Sequence, residues 1–131
     1  MTSKPTLILA STSAYRAGLL ARLGVAFSSE APGTDERVRD DEAPGALAAR
    51  LAHEKAAAVA RRHPDAWVLG ADQVAVRNGV LLGKPLDEAR CEEQLLASSG
   101  RQVLFLTATC LLRQAEGRVL QHVDETRVHF R

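Results

Sequence analysis

Leu7-Ile8-Leu9-Ala10-Ser11-Thr12-Ser13-Ala14-Tyr15-Arg16 passes from an apolar strand into a hydroxyl-rich turn and then into a helix. The strand reading rests on the unbroken apolar run Leu7–Ala10, bounded at once by small polar residues. The helix reading rests on Leu19, Leu20 and Leu23, whose spacing is helical and stops at Gly24. A strand, a turn and a helix start together form a natural phosphate cradle. The free N–H groups of the first helical turn and the positive end of the helix dipole converge on one spot. Ser13 is placed to cap that helix, Ser11 adds a second hydroxyl, and Arg16 carries a forked donor set suited to phosphate oxygens. The same residues serve equally well as an ordinary cap beside a solvated arginine.

Outward from this stretch, strands alternate with helices and then pair with one another. Ser28 to Gly45, rich in Pro, Gly, Asp and Glu, is the most loop-like segment. A long helix is expected from Pro44 to about Arg62, with Leu47, Leu51, Lys55 and Val59 on one stripe and His63-Pro64-Asp65 ending it. Trp67–Ala71 is a short buried strand with Asp72-Gln73 at its exit. Val74–Val76 and Val80–Leu82 flank Arg77-Asn78-Gly79 as a hairpin. A third helix is expected from an Asp87 cap to Gly100. A long strand over Gln102–Leu112 then leads through Ala115-Glu116-Gly117 into a last strand near Arg118–Arg131. This order is that of a mixed α/β fold.

At 131 residues the chain has the length of one domain with a real core, and 46% hydrophobic against 25% charged residues describes a soluble globular composition. A formal net charge of +1 argues against a nucleic-acid groove or an anionic membrane surface as the main partner. No apolar run approaches the roughly 20 residues of a membrane span, and the segment before Leu7 is too short for a signal peptide. Cys91 and Cys110 are expected as free thiols in a reducing cytoplasm, and His53, His63, His122 and His129 have no zinc-site spacing.

Four further positions carry chemistry. Lys55 occupies a stripe where a core residue belongs, so it either snorkels or aims its ammonium into a cleft to bind an anion. Asp72 follows a buried strand, where α/β proteins build sites. A partly desolvated carboxylate there holds a metal ion or accepts a proton from water, and a turn-forming aspartate is the plainer reading. Gln73 is able to read a base edge or to satisfy backbone. Lys84 in Gly83-Lys84-Pro85 is presented on a stiffened loop, and Asp35-Glu36 either are solvated or complete a magnesium shell with Asp72. Three cations, a phosphate turn and separated carboxylates are together the inventory for a metal-bound polyphosphate.

Leu9–Arg16, Glu54-Lys55-Ala56, Gly70-Ala71-Asp72-Gln73 and Gly83-Lys84-Pro85, in this order, resemble the Maf family of nucleoside triphosphate pyrophosphatases over essentially the whole chain. The resemblance implies a mixed sheet flanked by helices with a two-lobed cleft, similar to inosine triphosphatases. It also implies a divalent cation, Mg2+ or Mn2+, and hydrolysis of a nucleoside triphosphate to the monophosphate and pyrophosphate. Carried over by position, Asp72 matches the proton acceptor and, with Glu36, a metal ligand. Ser11, Ser13, Arg16, Lys55 and Lys84 match substrate-binding positions, and Tyr15 and Gln73 match specificity positions. Members acting on thymidine and uridine triphosphates typically carry Arg at position 15 and Thr at position 73. The Tyr15 and Gln73 combination is similar to the subgroup acting on 7-methyl-GTP, whose cationic base an aromatic face attracts.

The family usually has proline where this chain has Ala14 and often arginine where it has Ala17. Members also continue beyond the last strand, so residues 1–131 are expected to form a single Maf-like domain lacking part of the second lobe. The expected partner is a small nucleotide, with neither nucleic acid nor membrane, in a cytoplasmic protein for which a homodimer is compatible with the sequence. The alternatives are a non-catalytic nucleotide binder acting on cell division, an inactive remnant, or a UTP, CTP or dTTP pyrophosphatase.

Overall fold

The computed structural model describes residues 6–34, 42–77 and 102–129, and the backbone of 80–82. Strand β1 (Leu7–Ala10) leads into helix α1 (Ala14–Arg22), then strand β2 (Ser28–Glu30) and helix α2 (Pro44–Arg62). Strands β3 (Trp67–Arg77) and β4 (Val80–Leu82) follow. Strand β5 (Gln102–Arg113), a 3-10 turn over Gln114–Glu116 and strand β6 (Arg118–His129) end the described part. These strands form one sheet in the order β2-β1-β3-β5-β6, with β4 paired to β3.

The sheet is mixed for a simple reason of connectivity. Parallel neighbours need a long crossover, which α2 supplies between the β2-β1 pair and β3; antiparallel neighbours need only a turn. β1 therefore runs parallel to both β2 and β3, while β5 lies antiparallel to β3 and to β6. The β5–β6 turn closes at Gly117, whose φ of 62° lies in the left-handed region that glycine enters without strain.

Helix α2 starts as its sequence directs. Pro44 stands in the first turn, where its missing N–H costs nothing, and Ala43 offers no side-chain cap. Its buried stripe is Leu47, Ala48, Leu51, Ala52, Lys55, Ala56, Val59 and Ala60. The alanines let the helix lie close on the sheet, and Gly70 completes the fit. A Cβ at position 70 would stand 2.8 Å from the Ala56 amide nitrogen and closer still to the Ala52 carbonyl oxygen. Ile8, Ala10, Val68, Val74, Leu106, Ala108, Cys110 and Leu112 form the sheet side of this core. Burial pushes the Cys110 thiol pKa up, and a hydrogen bond with Gln121, its partner on β6, works in the opposite direction.

Several expectations change. Asp72 and Gln73 do not mark a strand exit. β3 continues through them because Val68 to Arg77 pair without a break against Leu112 to Val103, and the ladder overrides two polar residues. Ser28–Glu30, inside the expected loop, form a short parallel edge strand on β1. Glu30 then docks on the end of α2: His63 Nε2 lies 2.9 Å from Glu30 Oε1, and Arg62 donates to the Ala31 carbonyl at 2.9 Å. Helix α1 forms where its leucines predict it, but on the outside of the sheet. None of that helix is buried, and Tyr15, Leu19 and Leu23 are exposed to 76%, 45% and 76%. The expected helix over Asp87–Gly100, the Asn78-Gly79 turn and Cys91 lie outside the described residues.

Candidate functional site

The turn after β1 is built by its own hydroxyls. The Ser11 amide donates to the Leu9 carbonyl at 3.0 Å, the Ser13 amide to Ser11 Oγ at 3.0 Å, and the Arg16 amide to Ser13 Oγ at 3.3 Å. Ser13, with extended backbone, is thus the N-cap of α1. Ser11 is buried, so its hydroxyl shapes the turn from beneath. Among the described residues the amides of Ala14 and Tyr15 have no acceptor and stand at the positive end of the helix. Arg16, one turn in, has no carboxylate partner among the described residues. An anion-ready turn is therefore present.

The register sets this turn beside the second half of the site. Leu9 pairs with Leu69 on β3, so the residues that follow β1 come level with Ala71 and Asp72. There Lys55 reaches across from α2. Its Nζ lies 2.9 Å from Asp72 Oδ1 and donates to the Ala71 carbonyl at 3.4 Å. Lys55 is 6% exposed and Asp72 is not exposed at all. The lysine does not snorkel to the surface: it forms a buried ion pair with Asp72. Each charge compensates the other, which is the condition for carrying either of them in an interior.

Strand alternation sends the next residue to the other face of the sheet. Gln73 is exposed there, and its Nε2 donates to Thr107 Oγ1 at 3.1 Å. The ion pair and Gln73 thus lie on opposite faces of β3, one residue apart. Tyr15, in the first turn of α1, is exposed. Glu36, Lys84 and Asp35 lie outside the described residues.

A third arrangement had no signal in the hydrophobic pattern. Arg50 Nε donates to Glu42 Oε2 at 2.7 Å and Nη2 to Oε1 at 2.9 Å, while Nη1 donates to Glu54 Oε1 at 3.1 Å. Glu42, ahead of Glu54, holds the Arg50 guanidinium well above its ordinary pKa. The fork ties the start of α2 to its own third turn. Thr107 was likewise missed, because a threonine inside an apolar β-branched run reads as strand filler.

For a divalent cation the described residues offer little on their own. No group of three or more His, Cys, Asp or Glu side chains comes together among them. Asp72 is the expected metal ligand within the described part, and its Oδ1 faces Lys55. No helix among the described residues is long and apolar enough to cross a membrane.

Comparison with known proteins bears on the family and the fold. A family model described as Maf-like protein matches residues 6–131. The 7-methyl-GTP pyrophosphatase of Xanthomonas oryzae pv. oryzae is 54% identical over 127 residues, covering 97% of this chain and 66% of that protein. The protein of the same name from Alcanivorax borkumensis is 47% identical over 127 residues, covering 97% of this chain and 64% of that protein. The chain thus spans a little under two thirds of the length of these curated relatives. Among solved structures, a HAM1 protein from Coxiella burnetii superimposes with a TM-score of 0.60 at 14% identity, over 96% of this chain and 73% of that one. That likeness bears on the fold, a mixed α/β sheet with helices against it.

Proposed function

Because this chain belongs to the Maf-like family, we propose that it is a nucleoside triphosphate pyrophosphatase, acting on 7-methyl-GTP or a related modified nucleotide. The observation that carries the proposal is the placement of the capped Ser11–Ser13 turn level with the Lys55–Asp72 pair. The relatives named 7-methyl-GTP pyrophosphatase support the choice of substrate.

In this reading the amides of Ala14 and Tyr15 and the Arg16 guanidinium hold the triphosphate. Lys55 orients Asp72 and brings a cation to the reacting end. Asp72 accepts a proton from the water that attacks the α-phosphorus, and Arg16, Lys55 and Lys84 balance the charge on the departing pyrophosphate. A divalent cation, Mg2+ or Mn2+, would add charge neutralisation when bound, with Glu36 and Asp72 as its proposed protein ligands. Tyr15 and Gln73 select the base. We further propose a cytoplasmic protein of one domain whose partners are nucleotides and a second copy of itself, rather than nucleic acid or membrane.

The test is pyrophosphate release by the purified chain with magnesium or manganese across a nucleotide panel. Turnover led by 7-methyl-GTP is the expected result. A specific observation favours a second reading, that of a nucleotide binder without chemistry: Asp72 is fully enclosed and already paired. Calorimetric binding of nucleotide without pyrophosphate release decides for that reading. If UTP, CTP or dTTP leads the panel instead, the roles given to Tyr15 and Gln73 are wrong.

A further inference from the structure

Gln73, Thr107 and Asp124 form one row across three strands. Gln73 on β3 is the register partner of Thr107 on β5, and Thr107 is the register partner of Asp124 on β6. Residues directly opposite in paired strands put their side chains on the same face. The row therefore lies on the sheet face away from α2, where Gln73 is exposed. Its first link is formed, Gln73 Nε2 donating to Thr107 Oγ1 at 3.1 Å.

A glutamine amide has a donor end and an acceptor end of nearly the same shape, and which end faces a ligand decides what it reads. Thr107 is able to receive an N–H or to donate its own proton. The next member of the row removes that ambiguity. Asp124 is a carboxylate, an acceptor only, one strand spacing of about 4.8 Å beyond Thr107. Its negative charge draws the positive ends of both neighbouring dipoles toward β6, namely the hydroxyl proton of Thr107 and the NH2 of Gln73. The carbonyl oxygen of Gln73 is then turned outward.

We propose that Thr107 is a positioning residue for base selection, holding the Gln73 amide by its NH2 group so that the carbonyl oxygen reads an N–H edge. The base class this fits carries a ring N–H beside an exocyclic amine, as guanine and 7-methylguanine do. Adenine and cytosine present a ring nitrogen acceptor at that edge and meet the Gln73 oxygen with repulsion. The base-selection part rests on the pyrophosphatase reading; the orientation of the amide does not.

The experiment uses the whole chain labelled with nitrogen-15, together with the variants Thr107→Val, Thr107→Ser and Asp124→Asn. In the wild type one Gln73 side-chain N–H signal is protected from exchange. Thr107→Val abolishes that protection and Thr107→Ser restores it. With 7-methyl-GTP and ATP as substrates, Thr107→Val lowers the kcat/KM ratio between them about tenfold, carried by KM. Thr107→Ser recovers the ratio, and Asp124→Asn lowers it about threefold. Gln73 signals indifferent to Thr107→Val, or an unchanged ratio in an active variant, overturn the proposal. If the wild type releases no pyrophosphate, the pyrophosphatase reading fails. The amide arm, repeated with 7-methyl-GMP and AMP as ligands, still decides: a Gln73 shift with 7-methyl-GMP alone that Thr107→Val removes upholds the positioning role, and its absence ends it.

Discussion

Lys55 Nζ stands 2.9 Å from Asp72 Oδ1, joining the middle of α2 to the middle of β3 through two charges that water scarcely reaches. Such a pair is costly to break from one side, because the survivor is left charged and uncompensated. Asp72→Asn and Lys55→Met are each expected to lower stability by about 3–5 kcal/mol. The double variant Lys55→Met with Asp72→Leu should regain most of that loss, since an apolar pair of similar volume suits the site. Urea unfolding of the four proteins measures this. The result also bears on function: loss of turnover in Asp72→Asn alone confounds chemistry with folding, whereas a stable double variant without turnover isolates the chemistry. A double variant no more stable than the singles would show that the pair is not the local problem.

Gly70 makes a sharper stability prediction. A methyl group there meets backbone of α2 at Ala52 and Ala56, and backbone has no rotamer by which to retreat. Gly70→Ala should therefore cost at least about 1–3 kcal/mol, the range for overpacked cores. An adjacent control, Ala71→Ser on the other face of β3, is expected to change stability by less than about 1 kcal/mol. Thermal melts of both variants distinguish a tight helix–sheet contact from a loose one.

Much of this architecture was legible in the chain because each element carries its own punctuation. Pro44 and the Leu47, Leu51, Val59 stripe mark α2, and Gly117 marks the β5–β6 turn. The Ser13 cap was legible for the same local reason. What failed depended on partners distant in sequence. Asp72-Gln73 looked like a strand end because local polarity is all that a single segment reveals. It is the ladder to β5, more than thirty residues away, that keeps the strand going. The α1 leucines marked a helix, but periodicity shows a stripe without showing whether anything lies against it. Lys55 and Asp72 were each singled out, but not as partners, since no spacing rule connects positions 55 and 72. Thr107 and the Arg50–Glu42 fork were invisible for that reason too.

Cys110 links burial to pH dependence. Its thiol lies in the core and its pKa is raised above the ordinary thiol value, burial opposing the thiolate. The sign follows from linkage: with the folded value above the unfolded one, the unfolded chain loses its proton first as pH rises. The neutral thiol contributes stability that is complete below the unfolded value. That stability is lost as pH climbs from there through the raised folded value. Denaturation midpoints should fall above about pH 9, and Cys110→Ala should flatten that slope while lowering stability at neutral pH by a cavity cost of about 1 kcal/mol. Iodoacetamide should label Cys110 only on unfolding. Rapid labelling of the native chain would contradict the enclosed position.

Ser13 separates the structural from the ligand-binding use of the phosphate turn. Its hydroxyl accepts from the Arg16 amide and so caps α1. Ser13→Ala should cost about 1 kcal/mol of stability and weaken nucleotide binding together, which leaves the two roles entangled. Ser13→Asp disentangles them. Aspartate caps as well as serine and suits the positive end of the helix, so stability is held or slightly raised. The same carboxylate, however, places a negative charge where the Ala14 and Tyr15 amides would meet a phosphate. Nucleotide affinity should then fall at least tenfold by calorimetry, with the melting temperature unchanged or higher. An aspartate variant that binds nucleotide as tightly as the wild type would leave the turn as a helix cap and nothing more.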